Sequence, residues 1–254
     1  MKRNLSVIIP VYNEEKTVER IVAAISELPF VYELIIVDDA STDSTPGILD
    51  RIGGDNVRIL RHQENAGKTA AIKTALASVK GEIAIIQDAD LEYDPTEIEF
   101  LCSPIWEGSA DVVYGSRFLV RKASRVIYFY HYLGNRAITF LSNLLTNKNM
   151  SDIETCYKVF RSFLLTEMPI TSTRFGFEVE VTAKVSKTRA RIYEAPISYY
   201  GRTYEQGKKI SYLDGIAALW YILRFNLFVG TQTRAYIEQC DRRLEENADR
   251  APLP

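Results

Sequence analysis

Cysteine and histidine are scarce in this chain. Its 254 residues include 3 cysteines, Cys102, Cys156 and Cys240, and 2 histidines, His62 and His131. No Cys-X-X-Cys pair occurs and the cysteine count is odd, which argues against a disulfide framework and a structural zinc site and suits a reducing compartment. Neither histidine has a His, Cys or Asp at ligand spacing, so both read as structural. No apolar run reaches the roughly 18 residues a membrane span needs. The start, Met1-Lys2-Arg3-Asn4, leads into a strand without the apolar region of a signal peptide. The formal net charge is only −2, so no partner is implied by charge alone. Repeats and low-complexity segments are also missing. The length fits one α/β domain or two small ones.

Glycine is missing where a dinucleotide fold requires it. The first strand, Leu5 to Val11, is followed by Tyr12-Asn13-Glu14-Glu15. A Gly-X-Gly-X-X-Gly turn would let the backbone approach a pyrophosphate; two acids there repel one. They can still accept hydrogen bonds from a base or a ribose.

What is present is an alternation of buried strands and helices. Leu5 to Val11, Leu34 to Val37, Val57 to Arg61 and Ile83 to Ile86 read as strands. Lys16 to Leu28, a segment capped at Ser41 to Thr45, and Asn65 to Val79 read as the helices between them. This order predicts a mostly parallel sheet flanked by helices, with ligands at the carboxyl ends of the strands. The odd polar residues sit at those ends: Tyr12 and Glu14, Asp38 and Asp39, Asp88 and Asp90. A lone carboxylate is costly to bury, so acids that end a buried strand belong at a solvent-reachable mouth, paired or on a metal. Asp-X-Asp suits Mg²⁺ or Mn²⁺, hard cations that take carboxylate and phosphate oxygens.

Three segments carry a resemblance: Ser6 to Glu15, Ile36 to Thr45, and Asp88-Ala89-Asp90. Together they resemble glycosyltransferase family 2 with its GT-A fold. Gly115 to Phe118, Ser151 to Arg161, Phe175 to Glu178 and Gly201 to Lys209 are similar to the dolichol-phosphate mannose synthase branch. That branch moves a sugar from a nucleotide-sugar to a polyprenyl phosphate. The resemblance implies that Pro10, Tyr12, Glu14, Val37 and Asp39 hold the nucleoside, and that Asp88 and Ala89 lie at the diphosphate. It implies metal binding by Asp88 and Asp90, and basic groups near the phosphates at Arg117, Arg202 and Lys208. Glu92 stands where that branch often has glutamine, so it joins the expected metal set or faces solvent.

The second half is basic and aromatic in one window. From Val112 to Ser151 there is no Asp or Glu, while Arg117, Arg121, Lys122, Arg125, Arg136 and Lys148 alternate with aromatic residues. That composition suits an anionic membrane surface. Nucleic acid is not expected, since the overall balance is slightly acidic and no motif for it occurs. Asp152 and Glu154 precede a strand near Tyr157 to Phe160. An acid there serves as general base when the acceptor is a hydroxyl. With a phosphate acceptor it is free to orient Arg117 or to bind sugar hydroxyls. Glu178 and Glu180 fall on a helix over Phe177 to Val185, where Glu178 is expected to pair with an arginine. Ile192 to Pro196 reads as an edge strand, and Ser198 to Lys209 as a closing loop.

The expected division is a catalytic domain over 1–209 and a C-terminal helical extension over 210–254. The extension holds an interfacial or dimer-forming amphipathic helix within 210–229, a polar helix over 232–246 and a disordered tail. The function expected is a metal-dependent, inverting transfer of a hexose from GDP-mannose or UDP-glucose to a polyprenyl phosphate. Asp90, Arg117, Asp152, Arg202 and Lys208 form the catalytic group in that reading. Alternatives are transfer to a sugar or protein hydroxyl with Asp152 or Glu154 as base, and a silent nucleotide-sugar-binding subunit of a membrane complex. The expected location is cytoplasmic, peripheral at the cytoplasmic face of the membrane, with a homodimer through the apolar helix also open.

Overall fold

The computed structural model describes residues 4–119, 128–174, 176–201 and 212–248. The apolar runs form the strands expected of them. β1 (Leu5–Val11), β2 (Val31–Asp38), β3 (Val57–Arg61) and β4 (Ile83–Ile86) are parallel neighbours. β5 (Val112–Ser116), β6 (Lys158–Arg161) and β7 (Ile192–Pro196) complete a 7-stranded sheet of order β3-β2-β1-β4-β6-β5-β7. β7 is an edge strand, where a terminal proline is tolerated.

That order places the site. The chain leaves β1 toward β2 and β3 on one side and returns to β4 on the other. The crevice between the carboxyl ends of β1 and β4 is therefore the switch point at which ligands bind in such sheets. β6 runs antiparallel to β4, pairing Val159 with Ile85 and Arg161 with Ile83. Its amino end, and with it Asp152 and Glu154, arrives at the same edge. β5 and β7 are parallel to each other, Ser116 beside Pro196, and bring Arg117 and Ser198 there as well.

Helices cover both faces. α1 (Val18–Ser26) buries Val18, Ile21, Val22 and Ile25, one apolar stripe at helical spacing. α2 (Thr45–Leu49) starts with Pro46 in its first turn. α3 runs over Lys68–Leu76 and α4 over Ile98–Trp106, the latter after a 3-10 turn at Pro95–Glu97. α5 (Phe129–Thr146), α6 (Ser162–Thr166) and α7 (Phe177–Val185) follow. Every residue of α7 is buried, its acids included. Its Glu180 pairs with Lys184 and accepts from the backbone N–H groups of Thr171 and Ser172, so its charge is matched.

The last two helices are α8 (Tyr212–Leu227) and α9 (Thr231–Ala248). Both pack into the same core as the sheet, through Ala218 and Ile222 on α8 and Tyr236, Cys240 and Leu244 on α9. Tyr236 Oη donates to Leu164 O at 2.7 Å. α9 extends two residues beyond the span predicted for it; the rest of the expected tail lies outside the described residues. α3 begins at Lys68, not Asn65, because Asn65, Ala66 and Gly67 bend around Asp39.

Candidate active site

Three residues other than glycine adopt left-handed backbone at the site: Asn13 at φ 53°, Ala40 at φ 59° and Leu91 at φ 61°. They follow β1, β2 and β4 respectively. Such a conformation costs a non-glycine residue on the order of 1–3 kcal/mol and gathers at functional sites. Local hydrogen bonds hold these turns. Asn13 N donates to Ser41 Oγ at 2.9 Å, Glu14 N to Thr45 Oγ1 at 3.0 Å, and Ser41 N to Asp38 Oδ1 at 3.0 Å. The loops after β1 and β2 are thereby tied together, with Tyr12 36% exposed above them. Thr17 Oγ1 donates to the Glu14 carboxylate at 3.1 Å. Pro10 and Val37 pair in register across β1 and β2, below the loops.

Asp39 is almost wholly buried. Its Oδ1 lies 2.6 Å from His62 Nδ1 and accepts Ala66 N at 2.9 Å, and its Oδ2 accepts Gly67 N at 2.7 Å. His62 was expected to lack an acidic partner; the structure corrects this. The crossover from β2 to β3 lays His62 beside Asp39, an approach that sequence spacing does not display.

At the end of β4, Asp88 and Asp90 are both partly exposed, with Ala89 buried between them. Lys68 Nζ reaches Asp88 at 2.9 Å and Glu178 at 3.1 Å. Burial alone would lower the Lys68 ammonium pKa, but the Asp88 and Glu178 charges raise it well above its ordinary value. Glu178 was expected to meet an arginine and meets this lysine instead. Asp90 Oδ1 accepts the Glu92 N–H at 3.1 Å, which sets the turn. Glu92 neither joins the other two acids nor simply faces solvent. Its Oε2 accepts Tyr199 Oη at 2.8 Å, and its carbonyl accepts Tyr200 N at 2.9 Å. These bonds fasten the segment after β7 to the segment after β4. The expected set of three metal-binding carboxylates is therefore not assembled: among the described residues, no group of three or more His, Cys, Asp or Glu converges to hold a metal. Asp88 and Asp90 alone still fit a hard cation, because Mg²⁺ is usually held by one or two carboxylates, with waters and substrate phosphates supplying the other ligands.

Opposite them, Arg117 grips Asp152. Nε donates to Oδ2 at 2.7 Å and Nη2 to Oδ1 at 2.8 Å, and the Arg117 N–H adds a third bond at 3.1 Å. The Arg117 guanidinium lies 5.2 Å from the centre of the Tyr199 ring. Burial would raise the Asp152 pKa, yet the Arg117 charge and hydrogen bonds hold it below the usual carboxylate range. Glu154 behaves oppositely. Burial and the nearby Glu178 charge push its carboxyl up to about 7. Its Oε1 is buried with no hydrogen-bond partner among the described residues. Lys158 is pulled down by burial and donates to Thr155 O. Arg202 and Lys208 lie outside the described residues, as does Phe175.

The same architecture occurs in glucosyl-3-phosphoglycerate synthase of M. tuberculosis, at TM-score 0.70 and 20% identity, covering 90% of this chain and 82% of that one. A second structure of that protein, in complex with Mn²⁺, uridine-diphosphate and glucosyl-3-phosphoglycerate, aligns at TM-score 0.68, also 20% identical, with the same 90% and 82% covered. Among curated proteins, the chain is 27% identical over 211 residues to dodecaprenyl-phosphate galacturonate synthase of Rhizobium johnstonii, covering 80% of this chain and 61% of that one. It is 32% identical over 174 residues to undecaprenyl-phosphate 4-deoxy-4-formamido-L-arabinose transferase of Serratia proteamaculans, covering 65% and 51%. The chain thus spans only about half to three-fifths of these relatives. The description of glycosyl transferase family 2 matches residues 6–168, more than half the length. On that match, and with the GT-A architecture in place around the strand ends, the chain belongs to glycosyl transferase family 2.

Proposed function

We propose that this chain transfers a hexose from a nucleotide-sugar to a polyprenyl phosphate, with inversion at the anomeric carbon and a divalent cation at Asp90. The observation that carries the reading is the pairing of Arg117 with Asp152. An acid near β6 is where a base would be sought, but Asp152 has both oxygens committed to a guanidinium. A hydroxyl acceptor needs a base; a phosphate monoester is already anionic at neutral pH. An anionic acceptor needs cations, and Arg117 is a buried guanidinium whose N–H groups beyond the two that Asp152 takes can meet it. The two lipid-phosphate relatives support the same acceptor class.

In this reading the nucleoside lies over Tyr12, Glu14 and Asp39, above Pro10 and Val37. The diphosphate lies at Asp88 and Ala89. Mg²⁺ or Mn²⁺, held by Asp90 with Asp88 beside it, would supply Lewis-acid neutralisation of the leaving diphosphate. Lys68 fixes Asp88. Arg117, with Arg202 and Lys208, receives the acceptor phosphate. A phosphate oxygen attacks the anomeric carbon as the bond to the leaving β-phosphate oxygen breaks. The acceptor reaches the site from a membrane surface at the cytoplasmic face, to which the protein attaches peripherally. Catalysis rests on residues within 1–209, and the helices after 210 supply the interface.

Glu154 favours a second reading. A carboxyl near neutral pKa with an unpartnered oxygen is suited to accept a proton from a sugar or protein hydroxyl. The deciding experiment offers the protein UDP-glucose or GDP-mannose with Mn²⁺ and either a short polyprenyl phosphate or a sugar alcohol. The first reading expects a hexosyl lipid phosphate, lost in excess EDTA. Transfer to the sugar alcohol alone would replace it with the second.

A further inference from the structure

Gly67, at the start of α3, has no side chain with which to cap the first amides of the helix. A distant segment does so instead. Arg174 O accepts Thr69 N at 3.1 Å and Thr69 Oγ1 at 2.6 Å. The Arg174 backbone also lies against Gly67, where a Cβ would come within 3.2 Å of Arg174 Cα. On the other flank, Gly67 N donates to Asp39 Oδ2 at 2.7 Å. Lys68, between Gly67 and Thr69, is thus held from both sides while its Nζ reaches Asp88.

Arg174 is itself in a costly conformation. Its φ is 51°, left-handed for a residue other than glycine. Such a backbone persists only where its neighbours over-determine it. The loop before it has two anchors. On α7, the Glu180 carboxylate accepts Thr171 N at 2.9 Å and Ser172 N at 2.7 Å. The other anchor is on α8. Thr173 Oγ1 lies 3.1 Å from Tyr221 Oη, and Thr173 N donates to that oxygen at 3.4 Å. The ring reaches the loop because residue 176 is glycine: a Cβ there would stand 2.6 Å from Tyr221 Cε2. Tyr221 also stacks on the buried Phe225, one turn along α8, with ring centroids 5.5 Å apart and 9° between the planes. The hydroxyl is therefore presented by a ring with a fixed place.

We propose that Tyr221 is a positioning residue for the donor diphosphate. It acts through Thr173 and the Arg174 carbonyl on the start of α3, and so on the placement of Lys68 against Asp88. α8 then does more than offer an apolar surface: it fastens one wall of the donor site without touching the ligand. The inference rests on the proposed placement of the diphosphate at Asp88.

The test is calorimetry on the full chain with Mn²⁺ and UDP or GDP, whichever the wild type binds tighter. Tyr221→Phe keeps the ring and its stacking and removes only the hydroxyl. It should weaken the nucleotide about threefold to tenfold, the range set by one neutral hydrogen bond. Thr173→Val should do the same, and Thr173→Ser, which retains the hydroxyl, should bind as wild type. The double variant Tyr221→Phe/Thr173→Val should lose little more than either single one, because both remove the same bond. Asn226→Ala is the control. It cuts the 3.0 Å bond from α8 to Lys187, which does not involve the loop, and should leave nucleotide affinity unchanged. Amide hydrogen exchange gives a readout without nucleotide: the Thr69 N–H should exchange faster in Tyr221→Phe and not in Asn226→Ala. Equal nucleotide affinity in wild type and Tyr221→Phe overturns the inference while leaving a transferase in place. Equal weakening in Asn226→Ala would reduce Tyr221 to general packing and overturn it as well. A wild type that binds neither nucleotide would remove the nucleotide-sugar reading and, with it, the inference.

Discussion

Arg117 and Asp152 face each other through two parallel N–H···O bonds, and the Asp152 side chain has no exposed surface. Removing one partner of such a pair leaves the other buried and uncompensated, at a cost of about 3–5 kcal/mol. Asp152→Asn should lose stability on that scale in urea unfolding at pH 7. The pH dependence has a definite sign. Because the folded pKa of Asp152 is depressed, its contribution is complete above the unfolded value near ~4 and disappears as pH falls through the folded value. Wild type and Asp152→Asn should therefore converge in strong acid. Equal stability of the two at pH 7 would contradict the pairing.

Glu154 should give the opposite slope. Its folded pKa of about 7 lies above that of an unfolded glutamate near ~4.3. The stability it contributes is present below the unfolded value and lost as pH rises through about 7. Glu154→Gln, neutral at every pH, should melt above wild type at pH 8 by a margin that narrows toward pH 5. Parallel melting-temperature curves across that range would show that Glu154 is not a raised, buried carboxyl.

These two acids mark what sequence could and could not disclose. Strands β1 to β4, and the acids that end β1, β2 and β4, were legible, because a buried strand followed by carboxylates has few structural uses. So was α7, whose span over Phe177–Val185 is the predicted one. The capacity of Asp152 to orient Arg117 was foreseen as one of several roles; the choice among them needed β6 to run antiparallel and deliver Asp152 to the end of β5. Contacts between distant segments were not legible. Lys68 opens α3 in what reads as an ordinary alanine-rich helix, and only the folded chain brings Asp88 and Glu178 to it. His62 looked solitary for the same reason.

Lys68 lies within 2.9 Å of Asp88 and 3.1 Å of Glu178, so it screens two acids from each other. Lys68→Met should destabilise the fold by about 3–5 kcal/mol and abolish donor binding. Adding Glu178→Gln should restore part of the stability, with a coupling of about 0.5–3 kcal/mol in a double-mutant cycle. Strict additivity of the two changes would mean that the bridge carries no energy.

α5 exposes Phe140 and Leu144, and α8 exposes Trp220 and Leu227, with Phe228 exposed just after it. No described helix is long and apolar enough to cross a membrane. With no acid between Val112 and Ser151 and basic residues through 117–136, this ridge and the 210–229 segment should bind anionic vesicles. Each basic group near the surface adds on the order of 1 kcal/mol, weakened by salt. The chain has 2 tryptophans, and Trp106 packs edge-on against Phe30 with ring centroids 5.3 Å apart. A blue shift of fluorescence on adding anionic vesicles would thus report Trp220. Equal binding to neutral and anionic vesicles at low salt would remove the electrostatic part.

The two acceptor chemistries diverge most sharply in which variants lose rate. With a phosphate acceptor the nucleophile is ionised beforehand, and the difficulty is bringing two anions together. Cations then carry the catalysis. Arg202→Ala and Lys208→Ala should each lose about 10²–10³-fold, the consequence of removing a charge-assisted bond made in the transition state. Glu154→Gln should lose far less, since no proton has to leave the acceptor. With a hydroxyl acceptor the order reverses. A general base contributes about 10²–10⁴-fold, so Glu154→Gln would become the most damaged variant and would lose the acidic limb of the pH–rate profile. Asp152→Asn separates the cases less cleanly, because it also loosens Arg117, but its effect should follow that of an arginine variant in KM for the lipid and not that of a base in the pH profile. The bound state of Asp152 already favours the first order. A Glu154→Gln enzyme that keeps its rate on a short polyprenyl phosphate, beside an Arg202→Ala enzyme that does not, would fix the acceptor as an anion; the reverse ranking would assign the proton to Glu154.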